Sequence, residues 1–427
     1  MDLSRDKVSV LNLYTCGPTV YNLAHIGNLR SYVLADLVYR AKKFSGQNPK
    51  WVMNITDIDD KTIKNTVAEF GEKAGVEDLK KYTEKYTEIF LNDLNKLNIL
   101  TKEVEFIKVS EVIPQIQDFI IKLIDKGYAY QADDNSTYFN IEKYQKDFGH
   151  YGELVGKKFL EGKKIGAGST GSPQTRVKVD EYDKDNLSDF ALWKAREVND
   201  ANIFWRHPVL GEGRPGWHIE CSVINNIAFK GKTTDIHTGG VDLIFPHHTN
   251  EIAQSETLFG PKAVQAGKKF VKEWFHSEHL LVDGKKMAKS AHNFYTLTDL
   301  EEKSYSPLAY RYLLLQTNYK QKVNFTWESL DAATKGYQNL KNKIANLASL
   351  EAKLPEISRG ESSSLPEVSP WEISESYLAD FSQKISTLNT ASALASLQSV
   401  LSAPNLSPTQ KLELIIKFDE VLGLKLV

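Results

Sequence analysis

The chain has little of several things. Of its 427 residues only two are cysteine, Cys16 and Cys221. A secreted scaffold held together by disulfides needs more, so that class is excluded. Two cysteines leave three readings: one disulfide, two buried thiols, or two metal ligands. No apolar run is long enough to span a bilayer, and the N-terminus lacks the basic, apolar, small-residue order of a secretory leader. The expectation is a cytoplasmic protein with no membrane role. Nor is there a surplus of either charge: 53 Lys and Arg stand against 55 Asp and Glu, a formal net charge of −2. A global polycation is excluded, so a nucleic-acid partner has to be met by a local basic face. No internal repeat is visible, which removes solenoids.

What is present is ordinary for a soluble enzyme: 41% hydrophobic and 25% charged residues. The length implies roughly two to four domains. Leu11 to Thr15 reads as a short buried strand, broken by Cys16-Gly17-Pro18. A helical pattern follows from about Gly27 to Lys43, with Leu29, Tyr32, Val33, Leu37 and Val38 on one face. Trp51 to Thr56 reads as a second strand, ending in Asp57-Ile58-Asp59-Asp60. This strand–helix–strand unit opens an α/β fold: a Rossmann-type, doubly wound parallel sheet, with ligands at the carboxyl ends of its strands. Cys16 and Thr56 fall at such ends. Residues 1–127 are expected to form the first half of this domain. Residues 128–198, with a Gly/Lys/Ser-rich stretch and an acidic one, read as an inserted subdomain. Residues 199–265 would complete the parallel domain, 266–330 would carry a lysine loop, and 331–427 read as an α-helical domain interrupted by a Ser/Glu/Pro-rich linker.

Three constellations carry chemistry. Seven of the ten histidines lie between His207 and His279, and Cys221 lies among them. His247 and Glu251 are four apart, which on a helix puts imidazole and carboxylate side by side. With Cys221, and Cys16 at a strand end, they make a donor set that suits zinc better than calcium or magnesium. The plainer alternative is a solvated helix N-terminus with scattered histidines. His25-Ile26-Gly27-Asn28 opens the first helix, where a helix N-terminus favours an anion and Gly27 lets a nucleotide approach. The alternative is a capping Asn and a surface His. Finally Lys286-Met287-Ala288-Lys289-Ser290 follows a turn, and two lysines three apart on a loop can meet a leaving pyrophosphate. A solvated basic loop is the alternative there.

Their order, a strand, a His-x-Gly helix start and a late Lys-Met-x-Lys-Ser loop, resembles class I aminoacyl-tRNA synthetases. Within that class the chain resembles the cysteinyl-tRNA synthetase family. The matching runs are Cys16 to Tyr21, Asn54 to Lys61, Asp189 to Lys194, Gly213 to Cys221 and Phe245 to His248. The resemblance implies an ATP-using ligase that charges tRNA(Cys) with L-cysteine. It implies one zinc ion held by Cys16, Cys221, His247 and Glu251, and magnesium accompanying ATP. Gly17, Thr56, Trp217 and His237 are then expected around the cysteine, beside Cys16. His25 and Asn28 would bind ATP phosphates, Gly239 and Gly240 would lie against the adenosine, and Lys286 and Lys289 would stabilise the departing pyrophosphate. A monomer is expected.

There are departures. Asn28 stands where His is commonest, Ala288 where Ser is usual, Thr238 for Gly and Thr249 for Glu. The chain also stops where family members generally continue into an anticodon-reading domain, so tRNA recognition is expected mainly through the acceptor stem, with Lys157, Lys158, Lys163 and Lys164 as candidate contacts. Two other functions compete. One is a related ligase that passes cysteine to the amine of a small sugar–inositol such as glucosaminyl-inositol, as in mycothiol synthesis. The other is a non-catalytic, zinc-bearing RNA-binding protein, against which the intact Lys286 and Lys289 argue.

Overall fold

The computed structural model describes residues 10–156, 164–165, 176–177, 186–287, 293–351 and 370–427. At its centre lies β1 (Val10–Thr15), whose Leu13, Tyr14 and Thr15 are wholly buried, as a strand covered on both faces requires. Beside it on one side run β2 (Asn48–Ile55) and β3 (Val104–Lys108). On the other run β4 (Thr234–Gly240) and β5 (Val271–Ser277). All pairings are parallel and the order is β3-β2-β1-β4-β5. This is the doubly wound arrangement, and its direction reverses between β1 and β4, where such sheets leave a crevice at the strand carboxyl ends. Cys16 ends one side of that crevice and Gly239-Gly240 the other.

The crossover from β1 to β2 is α1 (Ile26–Phe44), and all five residues of its expected apolar face are buried. Its start is fixed by a reciprocal cap. His25 Nδ1 accepts the Asn28 N–H at 3.0 Å, and Asn28 Oδ1 accepts the His25 N–H at 3.3 Å. Between residues 75 and 127 the helices Val76–Lys96 and Ile113–Asp125 flank β3.

The insertion forms a mostly antiparallel sheet, to which the short strand Arg176–Val177 adds a parallel pairing with Asp189-Phe190. Its spatial order is Trp205–His207, Gly211–Pro215, Asp189–Ala195, Thr137–Phe139 and Ala129–Gln131. It runs on to Pro215, past residue 198, because Gly213 to Pro215 pair with Trp193 to Ala195. A Cβ on Gly213 would lie 2.2 Å from the Lys194 carbonyl oxygen, so the close pairing needs glycine there. Lys157, Lys158, Lys163 and the side chain of Lys164 lie outside the described residues. The C-terminal region is helical: Trp327–Glu351, Pro370–Ser386, Thr390–Ser402 and Pro408–Leu422.

One buried carboxylate of α1, Asp36, holds two arginines that reach this helical region, Arg40 on α1 and Arg311 on the helix Pro307–Leu315. Asp36 Oδ2 meets Arg40 Nε at 2.8 Å and Arg311 Nη2 at 2.6 Å. Arg311 also donates to the carbonyls of Leu97 and Leu422, and Arg40 to those of Asn98 and Glu420. Asp36 and Arg311 are both 0% exposed. Removing the anion leaves two guanidinium charges without a counter-charge in a dry volume. Asp36→Asn should therefore cost roughly 3–5 kcal/mol, seen as a lower urea midpoint; an unchanged midpoint would mean that the backbone carbonyls alone hold both arginines.

Candidate metal centre and adjoining cavities

Four donors converge at the crevice. Cys16 follows β1 directly, and its N–H donates to the Thr238 carbonyl of β4 at 3.1 Å. Cys221 lies on α2 (Trp217–Ala228), His247 in the helical turn Ile244–His248, and Glu251 in the first turn of α3 (Thr249–Phe259). The thiols are 3.8 Å apart, so no disulfide joins them; that bond is about 2.05 Å. Cys16 Sγ is 3.5 Å from Glu251 Oε1, and His247 Nε2 is 3.3 Å from Cys221 Sγ and 3.1 Å from Glu251 Oε1. Donors bound tetrahedrally at zinc-like distances sit roughly 3.3–3.8 Å from one another. The four residues are at most 6% exposed. Their side chains therefore have the spacing and the dryness of a ligand set.

Electrostatics agree. Burial alone would keep His247 neutral, but the facing Cys221 and Glu251 raise it to about 10. Burial would likewise push Cys221 up, yet the hydrogen bond from Cys16 and the His247 charge bring it to about 6. Glu251 is held well below the carboxylate range against its burial, because His237 and His247 face it. Cys16 is pushed up, by burial first and then by Cys221 and Glu251. Two anions around one imidazolium leave net negative charge in a dry volume, which a divalent cation would neutralise while displacing the remaining protons.

Further imidazoles support these donors. His237 Nε2 is 3.0 Å from Glu251 Oε2, His218 Nδ1 is 3.1 Å from His247 Nδ1, and His248 Nε2 is 3.4 Å from Cys16 Sγ. His276 Nε2 in turn meets His248 Nδ1 at 2.8 Å. Burial lowers His218 and His248 well below the usual imidazole value and His276 to about 4, so these three are neutral rings. Outer partners of this kind orient ligands and set their basicity. Cys16, His237, His248 and Glu251 form a second converging set. It fits less well, since Cys16 Sγ to His237 Nε2 is 4.0 Å and the set omits the thiol brought down to about 6.

One cavity opens from this cluster, and a second adjoins it farther from the donors. The larger, about 260 Å³, reaches from Cys16, Gly17 and Trp217 to His25, Asn28 and Gly240. The smaller, about 110 Å³, shares His25, Asn28 and Gly240 and adds Lys286 and Met287. The Trp217 ring lies 4.4 Å from the His247 ring at 31°, so it walls the larger cavity and backs a donor at once. Gly17 is forced: a Cβ there would lie 1.6 Å from the Asn54 carbonyl oxygen. Gly239 packs against His248, and a Cβ there would come 2.7 Å from its ring.

The structure thus brings together Cys16, Cys221, His247 and Glu251, and lines the cavities with Gly17, Trp217, His25, Asn28, Gly240 and Lys286. His237 sits behind the donors, stacked on Trp274. Thr56 is buried beneath the loop after β1, its hydroxyl donating to Glu220 Oε2 at 2.8 Å. Lys289 and Ala288 lie outside the described residues. The cap between His25 and Asn28 is real and coexists with their position on the cavity wall. Two departures have local causes: Thr238 bonds Thr15 hydroxyl to hydroxyl at 2.8 Å, and Thr249 donates to the Ile244 carbonyl at 2.8 Å. The sequence reading missed His218, His248 and His276 as supports, although the crowding of histidines was the available signal. It also missed Asn54, whose Oδ1 accepts from Gly17 N–H at 2.7 Å and from the Tyr14 hydroxyl at 3.2 Å.

Residues 3–335 match the family described as tRNA synthetases class I (C) catalytic domain. A cysteine–tRNA ligase of Chlamydia muridarum is 46% identical over 352 residues, covering 81% of this chain and 68% of the relative. One from Brachyspira hyodysenteriae is 42% identical over 400 residues, covering 93% and 76%. Among solved structures, a methionyl-tRNA synthetase of Mycobacterium tuberculosis in complex with methionyl-adenylate superposes with a TM-score of 0.64 at 12% identity, covering 97% of this chain and 90% of that one. A LeuRS of Agrobacterium radiobacter in a ternary complex with tRNA and LeuAMS gives 0.65 at 11%, covering 99% and 84%. At such identities the two structures speak to the fold.

The geometry predicts that chelator-treated protein takes up one Co²⁺ with an intense thiolate-to-metal absorption band. Cys16→Ala and Cys221→Ala should each lose most of the band. A band that survives in both would place the ion elsewhere.

Proposed function

The chain belongs to the class I cysteinyl-tRNA synthetase family, and from that premise we propose that it activates L-cysteine with ATP and transfers it to tRNA(Cys), with one zinc ion held by Cys16, Cys221, His247 and Glu251. One observation carries the reading: a buried two-thiol, imidazole and carboxylate cluster opens into a cavity whose far end is the capped N-terminus of α1. A thiol-selecting end and an anion-receiving end then share one chamber.

The reaction follows from that arrangement. A carboxylate oxygen of cysteine attacks the α-phosphorus of ATP, the bond to the β-phosphate oxygen breaks, and pyrophosphate leaves. A ribose hydroxyl of the tRNA then attacks the adenylate carbonyl, and AMP departs with the electron pair of the broken bond. A zinc ion held by Cys16, Cys221, His247 and Glu251 would supply a Lewis acid that favours the substrate's thiolate over serine's hydroxyl, so that discrimination would need no separate editing site. Gly17, Thr56, Trp217 and His237 shape the cysteine end. His25 and Asn28 receive phosphate at the helix N-terminus, where the N–H groups and the dipole favour an anion. Gly239 and Gly240 leave room for the adenosine. Lys286 and Lys289 stabilise the charge that gathers on pyrophosphate, and magnesium accompanies ATP. The proposal takes the chain to act as a monomer in the cytoplasm.

Cysteine-dependent pyrophosphate exchange and charging of tRNA(Cys) are the direct tests. Lys289→Ala should slow exchange about 100-fold while cysteine binding changes little. If cysteine affinity collapses and the saturated rate holds, that lysine acts on the substrate and not on the leaving group. Enzyme stripped of zinc should lose its preference for cysteine over serine; retention of that preference would overturn the role of the metal.

A further inference from the structure

The two thiols come from elements 205 residues apart in the chain, yet sit 3.8 Å from one another. A zinc site holds its bond lengths to within about 0.2 Å, so the end of β1 has to be fixed against α2. Three buried side chains that line neither cavity run between them: Asn54 near the end of β2, Thr56 just after it, and Glu220 in the first turn of α2. They are 2%, 2% and 0% exposed. Gly17 follows Cys16, and Glu220 precedes Cys221. We propose that Asn54 is a positioning residue for the metal and thiol end of the site, joining the Cys16-Gly17 turn through Thr56 to the helix that carries Cys221. The inference rests on the cysteine-activation reading above and adds to that site a residue outside both cavities.

The hydrogen bonds between these groups run in one direction. Asn54 and Thr56 are two apart along extended chain, so their side chains fall on one face. Asn54 Oδ1 accepts from the Gly17 N–H at 2.7 Å and from the Tyr14 hydroxyl at 3.2 Å, and Asn54 Nδ2 donates to Thr56 Oγ1 at 3.0 Å. The Gly17 N–H can only donate, so reversing the amide would set donor against donor. With Asn54 donating to its oxygen, the Thr56 hydroxyl gives its own proton to Glu220 Oε2 at 2.8 Å. A side chain of this size must be both acceptor and donor to complete the relay; aspartate offers acceptors alone and leucine neither. The backbone reinforces the same seam. Thr56 N–H donates to the Pro18 carbonyl at 3.0 Å, and Val20 N–H to the Thr56 carbonyl at 3.1 Å. Those bonds hold the loop at Pro18 and Val20, and the Asn54 side chain holds it at Gly17, next to the metal donor. Removing the carboxamide takes a partner from Gly17, Tyr14 and Thr56 at once.

The test uses the full chain with Co²⁺ as the metal probe. Asn54→Leu should weaken Co²⁺ binding about 10- to 100-fold, the scale for loss of a group that orients a metal ligand, and should shift the cobalt d–d bands. In cysteine-dependent pyrophosphate exchange it should raise the KM for cysteine about 10-fold, with a far smaller change in the KM for ATP. Thr56→Val breaks the same relay one step later, so the double variant should lose little more Co²⁺ affinity than the weaker of the two single ones. Losses that multiply would show two independent contacts and overturn the relay. Should Asn54→Leu show no urea transition, Thr56→Val carries the test, and Thr56→Ser, which keeps the hydroxyl, should return the wild-type cobalt spectrum. Wild-type Co²⁺ affinity, cobalt spectrum and cysteine KM in folded Asn54→Leu, or in Thr56→Val, would overturn the proposal. So would an equal rise in the KM for cysteine and for ATP, the mark of general loosening. A wild type without cysteine-dependent exchange would sink the functional reading instead, and the Co²⁺ measurements, which need no substrate, would still decide on Asn54.

Discussion

The architecture turns on one electrostatic constraint: two thiols, an imidazole and a carboxylate share a volume that water does not enter. Like-charged donors cannot be packed together in a low dielectric unless something neutralises them. Without an ion, the proton on His247 and the one on Cys16 partly do so. With one, the cation takes their place, so metal affinity and local stability are the same free energy. The donors come from the end of β1, from α2, from the turn before α3 and from α3 itself, so satisfying the constraint fixes how these elements meet.

That meeting point is also the point where the sheet changes direction. β1 is followed in the chain by β2 but borders β4 in space, and the crevice between their carboxyl ends receives Cys16 from one and Gly239-Gly240 from the other. The close approach depends on residues without side chains. At Gly17 the Asn54 carbonyl occupies the place of a Cβ, and at Gly239 the His248 ring does. Asn54 then locks the turn through its side-chain oxygen, shared between the Gly17 N–H and the Tyr14 hydroxyl. Chain reversal, donor placement and cavity shape therefore follow from one cluster of tight contacts.

How far this could be read from the residues depends on the range of the interaction. β1, α1 and β2 were legible because their apolar patterns are local and their boundaries carry turn chemistry. The metal set was half legible. His247 and Glu251 announce themselves by an i,i+4 spacing, whereas Cys16 and Cys221 lie over two hundred residues apart and joined the set only by position, Cys221 among the histidines and Cys16 at a strand end, until the family resemblance implied all four. β3 was hidden: VEFIK at the sheet edge has one buried residue, Val104, followed by exposed and half-buried ones, so it offers no strand-like run between two long helices. The neutral histidines were hidden for another reason. His218, His248 and His276 come from α2, the turn before α3 and β5, and nothing in their spacing distinguishes a ligand from the residue that orients it.

The last link is mechanical. α1 carries the His25–Asn28 cap at its first turn and Asp36 and Arg40 further along. A helix of 19 residues is about 28 Å of continuous hydrogen-bonded rod. Its far half is gripped by Arg311, which also donates to the Leu422 carbonyl, and by the Glu420 carbonyl, which accepts from Arg40. Its near end presents His25 and Asn28 to both cavities. The helical region and the cavity wall at His25 and Asn28 are thus attached to opposite ends of one rigid element. A shift of the helical region must either break the hydrogen bonds that Arg40 and Arg311 donate to its carbonyls or carry α1 with it. The cavity wall at His25 and Asn28 is therefore tied in part to helices whose residues line neither cavity.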